Sequence, residues 1–250
     1  MILSIFFLFA LATAEYAGHQ VLRFNVKNEA ELRHLRRAVD DPRLDLDLWS
    51  HSLSLGDIDI RVPPSAKSKM SSLFKTISHR VLIPDVERVL ASQTPSNLRV
   101  TKSTPPSKIF ENYQPTENYV NFLASQKGAK KVVIGESYKN ETIYGIKFGS
   151  GKYNIVVHGG IHAREWITPI SVTYAAYNLM TDASYSSLLE KFTFTFIPVL
   201  NVDGYEYTRT SKRLWRKNVQ PNEGTRCFGT DLNRNFGFQW NTDTGRFIRC

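Results

Sequence analysis

Residues 92–108 read SQTPSNLRVTKSTPPSK, a polar stretch with three prolines that no core element can absorb. It divides the chain into two parts with different hydrophobic periods. Before it, residues 21–27 alternate as a strand. Asn28 then opens a stretch with apolar positions at Leu32, Leu35 and Val39, and Glu31 stands where a capping partner should. Leu44, Leu46 and Leu48, then Ile58, Ile60 and Val62, alternate with charged residues and predict two more strands. Pro63-Pro64 stops the second, a helix is expected over 67–78, and 81–83 make a last short strand. That order describes a small α/β sandwich with an antiparallel sheet. Beyond the divide, strands at 132–135, 142–148 and 155–158 lead into a helix over about 164–180, followed by a strand at 192–197. Alternating strands and helices imply an α/β sheet with covered faces.

The first residues address the chain. Positions 2–14, ILSIFFLFALATA, carry no charge and end in a small-x-small site, as a signal peptide cut after Ala14 does. Thirteen residues fall short of the roughly 20 a bilayer core requires, and no later stretch is long enough to span one. The chain is therefore read as secreted, extracellular or vacuolar through the secretory pathway, with no membrane partner. Cys227 and Cys250 are the only cysteines, and in an oxidising compartment they are expected to pair. Asn140-Glu141-Thr142 is the only glycosylation sequon. Hydrophobic residues at 42% against 22% charged exclude a largely disordered chain. The net charge of +9 is scattered and no recognition motif accompanies it, so nucleic acid is not an expected partner.

The densest chemistry lies in Gly159-Gly160-Ile161-His162-Ala163-Arg164-Glu165-Trp166. His162 follows a buried strand and Glu165 is expected in the first turn of the next helix, so the two can face one metal ion. Alone, His-x-x-Glu is more often a surface pair. Three further motifs follow in order: Asn201-Val202-Asp203-Gly204-Tyr205, Arg213-Leu214-Trp215-Arg216-Lys217 and Asp231-Leu232-Asn233-Arg234-Asn235. Together they resemble the zinc carboxypeptidases of the carboxypeptidase A/B type, peptidase family M14, and residues 21–95 resemble that family's inhibitory pro-segment. The resemblance implies that His162 and Glu165 are two of three Zn2+ ligands and that Arg164 contacts substrate. It implies that Arg216 polarises the scissile carbonyl and stabilises the oxyanion, while Asn233 and Arg234 hold the substrate's C-terminal carboxylate. It makes Asp231 the acceptor that orients His162, although the residues alone fit a turn acid before Asn233 equally well. Cys250 matches the second cysteine of the family's disulfide.

The sequence departs from the family in one respect. Its six histidines are at 19, 34, 51, 79, 158 and 162, and none follows 162 to serve as third ligand. His158 is expected to be a satisfied structural histidine. The later Tyr and the Glu general base have no counterpart, so about half of the catalytic domain is expected to be absent and the chain inactive as written. Other chemistries fail: His158-Gly159-Gly160 resembles an esterase oxyanion loop, but no Gly-x-Ser-x-Gly occurs, and Gly149-Ser150-Gly151-Lys152 lacks the spacing of a phosphate loop. The expected layout is a signal peptide (1–14), an inhibitory pro-segment (15–95), a linker with the activation site at Arg99 or Lys102 (96–108), and a partial mixed-sheet α/β/α carboxypeptidase-like domain (109–250). The expected partners are peptide and protein C-termini and an activating trypsin-like protease, with the chain a monomer. The rival reading is a non-enzymatic secreted protein that binds and inhibits a full-length carboxypeptidase.

Overall fold

A computed structural model describes residues 15–98, 108–225 and 227–237. The chain separates into two compact units, Met1–Gln93 and Thr94–Cys250. The signal segment, Arg99, Lys102 and Cys250 lie outside the described residues.

In the first unit, strands β1 (Gln20–Val26), β2 (Asp47–Leu48), β3 (Gly56–Val62) and β4 (Ser78–Ile83) form one antiparallel sheet in the order β2-β3-β1-β4. Leu22 stands opposite Ile60 and Phe24 opposite Ile58, so the alternation of β1 and β3 buries one apolar face. Helix α1 (Glu29–Asp40) covers it with Leu32, Leu35 and Val39. Its start is closed reciprocally: Asn28 Oδ1 accepts from the Glu31 N–H at 3.0 Å, and Glu31 Oε2 accepts from the Lys27 N–H at 2.8 Å.

Three expectations need correction. The strand expected over 44–48 shrinks to two residues, because Pro42 starts a single 3₁₀ turn, Pro42–Leu44, which the Asp41 carboxylate caps. The helix expected over 67–78 begins earlier, with proline in its first turn, as α2 (Pro64–Lys67). A 3₁₀ turn, Ser68–Met70, then precedes α3 (Ser71–Thr76), and Ser78 already belongs to β4. The linker is also shorter at its front, since helix α4 (Val86–Leu98) runs into it.

The second unit opens with α5 (Thr116–Ala124), which the sequence pattern did not show. It continues through β5 (Lys130–Glu136), β6 (Thr142–Gly149), β7 (Tyr153–His158), α6 (Ile167–Thr181), α7 (Ser186–Lys191), β8 (Phe192–Ile197) and α8 (Val202–Thr210). The sheet order is β5-β6-β8-β7, with β7 and β8 parallel and the other neighbours antiparallel. β8 thus lies between two strands joined by only three residues. That link is pinned to α7 and to the start of β8: the Ser150 N–H donates to Leu189 C=O (2.9 Å) and the Thr193 hydroxyl to Gly151 C=O (2.7 Å). Phe148, Phe194 and Phe196 pack from the sheet into a core shared with Tyr119 and Leu123 of α5. Among the described residues no helix is long and apolar enough to cross a membrane.

Candidate active site

The site grows from the C-terminal end of β7, where the parallel β7–β8 pair ends and the chain must turn toward α6. The Gly159 N–H continues the ladder to Ile197 C=O (2.9 Å), and Gly159 C=O accepts from the Leu200 N–H (2.9 Å). A Cβ on Gly159 would lie 2.7 Å from Pro198 O and 2.8 Å from Thr168 O, so only glycine fits here. The Thr168 hydroxyl accepts from the Gly160 N–H (2.9 Å) and donates to Glu165 C=O (2.8 Å). Residues 162–165 close a turn through Glu165 N–H to His162 C=O (3.1 Å). Helix α6 begins only at Ile167, so Glu165 lies in this turn and not, as expected, in the helix.

The turn brings His162 Nδ1 to 2.9 Å from Glu165 Oε1. The other ring nitrogen, Nε2, is buried, 3.3 Å from Asp231 Oδ1, with alignment too poor for a hydrogen bond. Asp231 precedes a 3₁₀ turn, Leu232–Arg234, and the same Oδ1 accepts from the Asn233 N–H (3.0 Å). Its Oδ2 accepts from Arg216 Nε–H at 2.9 Å, while Arg216 Nη1 stands 3.5 Å from Glu165 Oε1. His162, Glu165, Asp231 and Arg216 therefore form one closed cluster in which the acids alternate with imidazole and guanidinium.

The electrostatics follow from that alternation. Burial alone would raise the pKa of Asp231, but His162 and Arg216 outweigh it and hold the carboxylate well below its usual range. Glu165 is lowered in the same way: burial opposes ionisation, while His162, then Arg216 and Arg164, favour it. Burial pulls His162 down, yet the carboxylates of Asp231 and Glu165 more than offset it and raise the imidazole above its ordinary value.

The remaining candidates are not members of this cluster. Arg164 Nη1 is 3.5 Å from Leu214 C=O, and Arg234 Nη1 donates to Asn233 C=O (2.9 Å). Asn140 is exposed in the turn between β5 and β6 with φ of 61°, a left-handed conformation that asparagine tolerates. His158, expected to be a satisfied structural histidine, is instead exposed at the end of β7, and no side-chain hydrogen bond to it is found among the described residues. Three supporting residues escaped the sequence reading. Arg213 lies over the Trp166 ring at 3.6 Å and donates to Arg164 C=O (2.9 Å), and Trp166 Nε1–H donates to the Thr208 hydroxyl (2.8 Å). The partners are more than 40 residues apart, so no local spacing betrays them.

Two donors, His162 Nδ1 and Glu165 Oε1, converge as a metal-binding pair does, and the second imidazole nitrogen faces a carboxylate. Among the described residues there is no group of three or more His, Cys, Asp or Glu side chains that could hold a metal ion.

The family profile described as zinc carboxypeptidase matches residues 116–250, and that described as carboxypeptidase activation peptide matches residues 22–93. A metallocarboxypeptidase A from Trichophyton tonsurans is 32% identical over 241 residues, covering 90% of this chain and 56% of the relative. An inactive metallocarboxypeptidase ecm14 from Sclerotinia sclerotiorum is 34% identical over 277 residues, 94% of this chain and 46% of that one. The chain thus spans about half the length of the curated relatives it matches. Among solved structures, thrombin activatable fibrinolysis inhibitor superposes with a TM-score of 0.72 at 27% identity, over 90% of this chain and 60% of its own. Carboxypeptidase A from Helicoverpa armigera gives 0.78 at 24% identity, over 91% and 60%, a likeness of fold.

Proposed function

The chain belongs to the zinc carboxypeptidase family, and from that premise we propose that it is the pro-form of a secreted metallocarboxypeptidase acting on peptide and protein C-termini. The observation that carries this reading is the His162 ring, set with Nδ1 at Glu165 and Nε2 at Asp231. His162 and Glu165 would hold Zn2+, and Asp231 would fix the imidazole's orientation. Bound zinc supplies a Lewis acid that polarises a carbonyl and acidifies water. Arg216, whose guanidinium already stands beside Glu165, would stabilise charge on the scissile carbonyl oxygen. Arg164 would contact substrate, and Asn233 with Arg234 would hold its terminal carboxylate, for which a guanidinium fork and an amide are suited. No histidine follows His162 in the 250 residues, so the third ligand is missing from them, as is the general base.

Residues 15–95 act, on this reading, as the inhibitory pro-segment, and a trypsin-like protease cuts at Arg99 or Lys102. Signal cleavage after Ala14, a Cys227–Cys250 disulfide, a glycan on Asn140 and a monomeric state belong to the same proposal. The test is a Zn2+ titration of residues 15–250 against a chromophoric chelator, parent beside His162→Ala. Equal zinc uptake by both chains removes His162 as a ligand.

The rival proposal, an inhibitor acting through the pro-segment, is favoured by one observation: the first unit has its own complete sheet and its own buried core. Purified residues 15–95 should then inhibit a related active carboxypeptidase, and no inhibition at micromolar concentration eliminates this role.

A further inference from the structure

Residues 201–205, Asn-Val-Asp-Gly-Tyr, form the N-cap and first turn of α8 and take none of the roles above. Asn201 is almost wholly buried, 4% exposed. Its Nδ2 donates to Ile161 C=O at 3.2 Å and to Lys217 C=O at 3.1 Å, and its Oδ1 accepts from the Gly204 N–H at 3.1 Å. Both amide protons are thereby used on backbone carbonyls that no hydroxyl or carboxylate of similar length could serve together. Ile161 immediately precedes His162, and Lys217 immediately follows Arg216. One amide group therefore ties the backbone beside the ligand pair to the backbone beside the cation. Gly204 shows how tightly the tie is packed: a Cβ there would lie 2.6 Å from either amide atom of Asn201 and 2.6 Å from Lys217 O. A second tie, Ala163 N–H to Arg216 C=O at 3.0 Å, joins the same two segments.

We propose that Asn201 is a positioning residue that sets the separation of the His162–Glu165 turn from Arg216, and so places the Arg216 guanidinium against Asp231 and Glu165. This rests on reading His162, Glu165 and Arg216 as one site. The asparagine amide is required because it alone among small side chains offers two donors and an acceptor. Aspartate would keep the acceptor for Gly204 but set a carboxylate against two carbonyl oxygens, leaving both unsatisfied and repelled.

The experiment observes the Arg216 Nε–H resonance in nitrogen-15-labelled residues 15–250, assigned by its loss in Arg216→Lys. In the parent, the 2.9 Å bond to Asp231 should make that proton slow to exchange. Asn201→Asp should shift the resonance and speed its exchange by about tenfold or more, as loss of a charge-assisted hydrogen bond implies. Tyr205→Phe is the comparator: it deletes the bond from the Tyr205 hydroxyl to Gln114 C=O (2.7 Å), which touches neither tied carbonyl, and should lower the melting temperature without moving the Arg216 signal. An unchanged Arg216 signal in Asn201→Asp overturns the proposal. Should that variant fail to fold, Asn201→Ser, whose hydroxyl can still cap Gly204 but cannot span both carbonyls, gives the same readout with the same two outcomes. A parent chain that takes up no Zn2+ at His162 would remove the zinc reading and leave the Arg216 comparison standing.

Discussion

Gly159 lies where a strand, a turn and a helix start come within van der Waals distance of one another. The two carbonyl oxygens that a Cβ would strike belong to backbone, which cannot swing aside as a side chain would. Gly159→Ala should therefore destabilise the second unit by about 1–3 kcal/mol, the usual cost of overpacking. Denaturant midpoints of parent and variant measure it, and an unshifted midpoint would show that the turn has slack. The motif around Gly159 could be read from sequence because its residues are neighbours in the chain. Arg213, Trp166 and Thr208 could not, since their contacts join positions brought together only by folding.

Elements respond to their ends as much as to their periods. Replacing Asn28 by alanine leaves the Glu31 N–H without its side-chain acceptor, and should cost about 1 kcal/mol, read as a lower melting temperature of the first unit. At the junction of β1, β3 and α4, His19 Nδ1 meets Arg61 Nη1 at 2.7 Å, and His19 C=O accepts from the Val86 N–H (3.0 Å). Burial first, then the Arg61 charge, lower the His19 pKa below 6.5, against smaller opposite pulls from Asp45 and Glu87. The fold thus holds a neutral imidazole, and near and below pH 6.5 the unfolded chain binds more protons than the folded one. Stability from this group is complete above that pH and is lost as pH falls through the lowered value. His19→Gln, which keeps an acceptor for Arg61, should flatten that acid slope in melting temperatures measured from pH 7 to 4. A slope as steep as the parent's would exonerate His19. β1, β3 and β8 were legible because each buries one alternating face or a continuous apolar run. β2 was legible only as the last two residues of the strand expected over 44–48, because the Pro42 turn buries Leu44, and Leu46 is buried after it, without a strand. α8 hid behind Gly204, a residue that weakens helices and is present for the close approach to Lys217. α5 hid because its buried positions, Asn118, Tyr119, Val120, Phe122 and Leu123, run nearly without a polar face.

For the molecule as a whole, two compact units predict the order of proteolysis. Arg36 lies inside α1 and Lys130 in β5, which pairs with β6, so both are held in hydrogen-bonded backbone. Limited trypsin treatment should cut first after Arg99 or Lys102, and mass spectrometry of the earliest fragments decides it; first cuts at Arg36 or Lys130 would place the boundary elsewhere. Intact mass of the secreted chain tests the Cys227–Cys250 pairing, which expects a mass two hydrogen atoms below that of the dithiol. The sheet order bears on how the second unit comes into being on the ribosome. β6 and β7 emerge in succession, joined by a short link, yet the strand that belongs between them starts 192 − 158 = 34 residues after β7 ends. At roughly 5–20 residues per second, about 2–7 s pass before synthesis of β8 begins. In that interval the readiest partner for β6 is β7 itself, in a hairpin absent from the finished sheet. A chain that formed that hairpin would have to open it to admit β8, so a pause that holds the emerged chain at residue 158 should favour misfolded chains, and one that holds it at residue 197 should not.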